Sequence, residues 1–155
     1  MKADDADLVI RNWEELKLRE KGGNKTVLGG VPDALPALIK ADRIQEKAAN
    51  VGFDWEERSQ VWDKVKEEIS EVQAEIDGEN PEGMKEEFGD LLFSVVNAAR
   101  LYGVNPENAL DHTNRKFIRR FNFLEKRAKE MGKSLKEMTL GEMDEIWEQA
   151  KKIDG

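Results

Sequence analysis

Glu87-Phe88-Gly89-Asp90-Leu91-Leu92-Phe93-Ser94-Val95-Val96-Asn97-Ala98-Ala99-Arg100-Leu101 is the stretch that decides the fold. Wound at about 100° per residue, its side chains Phe88, Leu91, Leu92, Phe93, Val95, Val96, Ala98, Ala99 and Leu101 cover most of a helix's circumference. A helix apolar nearly all round is normally buried. The polar exceptions, Glu87, Asp90, Ser94 and Asn97, recur at spacings of 3, 4 and 3 and make one narrow seam. Buried carboxylates cost several kcal/mol per ion unless a counter-charge meets them, and a divalent cation is an efficient one. A seam that faces water, or pairs with lysines of a neighbouring helix, fits the same spacing, since acidic i,i+3 pairs are common on surface helices.

The preceding segment is a second helix. Asp54 and Glu57 have the spacing of a capping box, and the helix they open runs to Asp77 and stops at Gly78. Trp62, Val65, Ile69, Val72 and Ile76 form the stripe expected to pack. Glu68 lies about 75° from the centre of that stripe, Glu71 about 135°, and Glu67 nearly opposite. Glu68 and Glu71 are therefore expected to serve a site beside the packed seam, with Lys64 and Glu75 on the same flank and Glu67 in water. Two i,i+3 pairs, Glu68/Glu71 and Glu87/Asp90, thus sit on successive helices. Carboxylates are hard, acceptor-only ligands that suit Mg²⁺ or Mn²⁺.

Downstream, Asn105 as N-cap and Pro106 at the first helical position open a long helix to Met131, ended by Gly132. Leu110, Phe117, Phe121, Leu124 and Ala128 form its apolar stripe, flanked by Lys116 and Arg120, while Arg115 and Arg119 point away. A lysine and an arginine beside a core seam suit phosphate oxygens, and equally suit ion pairs with acids of adjacent helices. Upstream, the pattern predicts a short helix over Leu8 to Lys21 and, with Asp33 as N-cap, another over Leu35 to Asn50. Thr139 and Glu142 have capping-box spacing before a last helix through Trp147 to Lys152. There Trp147 sits with Met143, Ile146 and Ala150, which is the pattern of core packing, or of an aromatic platform for a base. No segment alternates with strand periodicity, so the expected fold is all-α.

Composition narrows the chemistry. The 155 residues fit one domain and contain no cysteine, which excludes disulfides, thiolate zinc sites and cysteine nucleophiles. The single histidine, His112, rules out a histidine-rich metal site and has no serine or cysteine partner in a recognisable motif. No run approaches a membrane span of roughly 18 apolar residues, and Met1-Lys2-Ala3-Asp4-Asp5 lacks a signal peptide's apolar stretch, so a cytoplasmic protein is expected. The formal charge of −8 disfavours binding to a nucleic-acid backbone. The glycines at 22, 23, 29 and 30 match neither the phosphate loop nor the dinucleotide fingerprint.

Glu67-Glu68-Ile69-Ser70-Glu71, followed after 15 residues by Glu87-Phe88-Gly89-Asp90, resembles the EExxE…ExxD signature of the MazG nucleoside triphosphate pyrophosphohydrolases, members of the all-α NTP pyrophosphatase superfamily. The runs Gly30 to Leu38, Ile44 to Trp55, Phe88 to Phe93, Asn114 to Phe117, Arg119 to Phe121 and Glu145 to Trp147 are similar to the second half of tandem members. The resemblance covers about Val27 to Lys151, and is loose at Gly83 to Glu86. It implies a catalytic domain over 27–155 preceded by a linker helix and loop over 1–26. It further implies Mg²⁺-dependent cleavage of nucleoside triphosphates to the monophosphate and pyrophosphate. Metal ligands map onto Glu68, Glu71, Glu87 and Asp90, with Glu68 or Glu71 orienting or deprotonating the water. Nucleotide contacts map onto Lys64, Asn114, Lys116, Arg120 and Trp147, and a homodimer completes a four-helix core. The competing expectation is a helical dimer that binds nucleotide or metal without turnover. A di-iron bundle is disfavoured because its Glu-x-x-His ligands are missing.

Overall fold

Where the chain can be helical is set largely by its prolines, glycines and caps. The computed structural model describes residues 26–154, so the expected helix at Leu8 to Lys21 and nearly all of the 1–26 linker lie outside the described residues. Among the described residues there are five α-helices and no strand: α1 Ala37–Asn50, α2 Val61–Asp77, α3 Pro81–Leu101, α4 Pro106–Glu130 and α5 Leu140–Asp154. Short 3-10 turns occupy Arg58–Gln60 and Leu135–Glu137. No described helix is long and apolar enough to cross a membrane.

Several boundaries differ from expectation for local reasons. α1 begins after Pro36, not after Asp33, because a proline disfavours helical backbone in the residue before it. The capping box before α2 is formed by Glu57 and Gln60 around the 3-10 turn. Asp54 is instead used to cap the backbone N–H of Trp55 at 2.9 Å and to pair with Arg100. The α2–α3 reversal places Gly78 at φ −80° and Glu79 at φ +51°, so the left-handed position falls one residue beyond the glycine. Thr139 and Glu142 do form a reciprocal capping box, each backbone N–H bonding the other's side chain at 3.1 Å.

The chain divides into two compact units between Glu107 and Asn108. In the first, α3 packs most extensively on α2 and also on α1. Val61, Val65 and Ala98 form the buried centre there, with Leu91 and Leu101 against it. In the second, Leu124, Ala128, Met138 and Ile146 are the buried centre, with Phe123, Leu135, Met143 and Trp147 packed around them. Only the C-terminal half of the expected α4 stripe is buried; Leu110, Phe117 and Phe121 are exposed.

The largest departure concerns which faces are inside. The buried stripe of α2 is Val61, Val65, Glu68 and Val72, whereas Trp62, Ile69 and Ile76 of the expected stripe are exposed. On α3, Ser94, Val96 and Ala98 are buried, while Phe88, Leu92, Phe93 and Val95 are exposed, Leu92 by 63%. Within this chain α3 is therefore not covered all round. Of its polar seam Ser94 is buried and Glu87 and Asn97 are half-buried, while Asp90 and much of the apolar surface are exposed.

Candidate metal centre

The rotation of α2 puts a carboxylate in the core. Glu68 occupies the turn between Val65 and Val72 on the buried stripe and is only 4% exposed, rather than standing on a flank. Glu71, one turn further, is half-buried, and so is Glu87 on α3. Because α2 and α3 are joined by the short reversal at 78–80 and pack along their length, these three acids meet. One carboxylate oxygen from each of Glu68, Glu71 and Glu87 lies within 4.8 Å of the others. Asp90 is outside that group and exposed, although its charge acts on Glu87.

Three carboxylates this close repel one another. Glu87 is pushed up to about 7, first by its hydrogen bond with Glu71, then by desolvation, then by the charges of Glu71, Asp90 and Glu68. Lys64 partly offsets the charge from the same helix: its Nζ lies 3.1 Å from Glu68 Oε1 and 3.5 Å from the exposed Glu67. Its ammonium pKa is raised, chiefly by the hydrogen bond to Glu68. The compensation is incomplete. Oε2 of Glu68 and Oε2 of Glu87 are buried with no hydrogen-bond partner among the described residues. Buried acceptors without donors are rare, and here the deficit is of positive charge. Hard oxygen donors at this spacing, two with unpaired oxygens, fit a divalent cation such as Mg²⁺ or Mn²⁺.

A cavity of about 700 Å³ adjoins the acids and shares Lys64, Glu68 and Asp90 with them. Its other lining residues are Leu28, Val61 and residues of α1, the 51–60 segment and α3, among them Gln45, Phe53, Trp55, Ser94, Asn97 and Arg100. The α3 seam noted in the sequence runs along this cavity from Asp90 through Ser94 and Asn97, and one further step of three reaches Arg100. Arg100 grips Asp54 with two nitrogens, at 2.7 and 3.3 Å, and donates to Asn97 Oδ1 from Nε and Nη2. That clamp fixes the segment carrying Phe53 and Trp55 to α3. Sequence reasoning missed Gln45, Asp54 and Arg100. The seam's spacing was a usable signal for Arg100, but a mid-helix glutamine carries none.

The remaining candidates belong to the second unit. Asn114 is exposed, and Lys116 is half-buried. Arg120 is largely buried and donates from Nε to Asp154 Oδ2 at 2.9 Å, with Arg119 also near that carboxylate. Asp154 is accordingly held below its ordinary pKa, mainly by Arg120. Trp147 packs against the core and lies 5.1 Å, ring to ring, from Phe117.

Residues 57–123 match the model of the MazG nucleotide pyrophosphohydrolase domain, a span that contains every carboxylate of the centre. The chain is 42% identical over 142 residues to a nucleoside triphosphate pyrophosphohydrolase/pyrophosphatase MazG of Thermotoga maritima, covering 91% of this chain and 54% of that protein. It is 40% identical over 157 residues to a nucleoside triphosphate pyrophosphohydrolase of Escherichia coli, covering 97% of this chain and 59% of that protein. A Bacillus subtilis protein, YabN, is 46% identical over 157 residues, 32% of its own length. The chain thus spans little more than half the length of the two named hydrolases.

Proposed function

We propose, from the match of residues 57–123 to the MazG nucleotide pyrophosphohydrolase domain, that this chain hydrolyses nucleoside triphosphates to the monophosphate and pyrophosphate with Mg²⁺, or Mn²⁺ in its place. The observation that carries this reading is the convergence of Glu68, Glu71 and Glu87 within 4.8 Å, with buried oxygens left unpaired. These three would hold the cation, with Asp90 as a further oxygen donor. When bound, it would supply positive charge against the phosphate oxygens and acidify water at the site.

The chain's own groups have separable tasks. Glu68 or Glu71 orients a water and takes its proton as the water oxygen bonds to a phosphorus of the α–β bridge. The bridging P–O bond breaks, and pyrophosphate leaves from the monophosphate. Lys64 is tied to Glu68 at 3.1 Å, and its raised pKa keeps it an ammonium, ready to meet a phosphate oxygen once Glu68 has another counter-charge. From the second unit, Asn114, Lys116, Arg120 and Trp147 are proposed as nucleotide contacts, on the family resemblance alone. A homodimer is proposed as well, supported by the outward apolar faces of α2 and α3.

The test is to incubate the chain with each nucleoside triphosphate and Mg²⁺ or Mn²⁺ and identify the products. Monophosphate with pyrophosphate is expected, and Glu68→Ala or Asp90→Ala should abolish it. Diphosphate with orthophosphate would sink the stated bond. Binding without turnover would favour a non-catalytic module.

A further inference from the structure

Gln45 is a buried polar group that the proposed chemistry does not use. It sits on the inner face of α1, is 6% exposed, and lines the cavity that adjoins the acids. Its Nε2 donates to the backbone carbonyl of Phe93 at 2.9 Å. A carbonyl only accepts, so the amide cannot be turned round without setting two oxygens against each other. The orientation is therefore fixed, and Oε1 is left buried with no partner among the described residues. Other polar side chains of the wall are engaged: Ser94 Oγ donates to the Leu91 carbonyl, and Asp54 and Asn97 Oδ1 accept from Arg100.

The rest of the wall is largely apolar, with the aromatic residues Phe53 and Trp55 in its lining. Its volume, about 700 Å³, falls within the range of small-molecule sites, roughly 300–1,000 Å³. Triphosphate oxygens belong with Lys64 and the metal-holding acids. An apolar wall with an uncharged, unpaired acceptor at Gln45 suits the uncharged end of the same substrate.

We propose that this cavity receives the nucleoside of the substrate and that Gln45 is a specificity-determining residue, its Oε1 accepting a hydrogen bond from an exocyclic amino group of the base. The inference rests on the reading of the chain as a nucleoside triphosphate hydrolase. Adenine and cytosine present such a donor. Hypoxanthine and uracil place an oxygen at the equivalent position, where two acceptors would face one another. A site built to hydrogen-bond a group discriminates strongly against the analogue that lacks it.

The experiment compares kcat/KM of the full chain for ATP against ITP and for CTP against UTP, read as pyrophosphate release with Mg²⁺. The amino member of each pair should be preferred by about tenfold or more. Gln45→Met, close in size and without the acceptor, should bring both ratios within about twofold. Wild-type ratios already within about twofold would overturn the proposal, whether or not the variant folds. So would a uniform fall for all four nucleotides in Gln45→Met with both ratios intact. If none of the four is hydrolysed, it is the hydrolase reading that has failed. Calorimetric Kd values for the same four with Mg²⁺ then decide the inference alone: an amino preference lost in Gln45→Met supports it, and equal Kd values or no binding reject it.

Discussion

Glu68 is a carboxylate where a valine or isoleucine would serve packing better. Among Val61, Val65 and Val72 it adds no apolar contact worth its desolvation, and Lys64 satisfies only one of its oxygens. A centre arranged this way is under electrostatic stress without a cation, and the stress is concentrated on Glu87. Its pKa of about 7 lies above the ordinary 4.5, so between those values the folded protein binds more protons than the unfolded chain. In the metal-free protein Glu87 therefore lowers stability progressively as pH rises from about 4.5 through 7. Glu87→Gln is expected to raise the metal-free melting temperature at pH 8 and to change it little at pH 5. The same variant should lose most of the thermal stabilisation that Mg²⁺ gives the wild type. Calorimetric scans at the two pH values, with and without Mg²⁺, check all three expectations.

At the scale of elements, the reversal between α2 and α3 sets whether Glu71 and Glu87 meet, and it runs through a non-glycine residue at φ +51°. An L-residue there is strained by about 1–2 kcal/mol, partly offset in a glycine by its unfolded-state entropy. Glu79→Gly should thus stabilise the chain by about 0.5–1 kcal/mol in denaturant unfolding, without altering turnover. The cap of α5 gives a second expectation. Glu142 is held down to about 2, first by Lys133 and then by Thr139, so its contribution is complete above about 4.5 and is lost as pH falls toward 2. The stability gap between wild type and Glu142→Gln should be constant above pH 5 and vanish near pH 2. These elements also mark what the sequence made legible. The helices and the Thr139–Glu142 cap could be read because local chemistry fixes them. The buried side of α2 could not, because Val61-Val65-Glu68-Val72 and Trp62-Val65-Ile69-Val72-Ile76 are neighbouring stripes of similar period, and only the helix packed against them chooses. Glu68, Glu71 and Glu87 could be read from their spacing, whereas Gln45 depends on a carbonyl 48 residues away.

The molecule as a whole leaves Phe88, Leu92 and Val95 of α3, with Trp62, Ile69 and Ile76 of α2, turned out of the chain's own core. Surfaces of this kind mark association sites, and a second copy of α2 and α3 would complete a four-helix core. Sedimentation should therefore find a dimer. Leu92→Glu, on the most exposed of these large side chains of α3, should shift it to monomer while leaving the Glu68–Glu71–Glu87 cluster in place. The polar seam of α3 fits the same proposal, with its residues from Asp90 to Asn97 lining the cavity beside the carboxylates where the cation and the nucleoside are proposed to bind. The most direct test of that claim is a crystal grown with Mn²⁺ and a non-hydrolysable nucleoside triphosphate, measured at the manganese absorption edge. Anomalous peaks are expected among the carboxylates of Glu68, Glu71 and Glu87. A nucleotide-bound crystal with no manganese there, or with it held only by other residues, would contradict it.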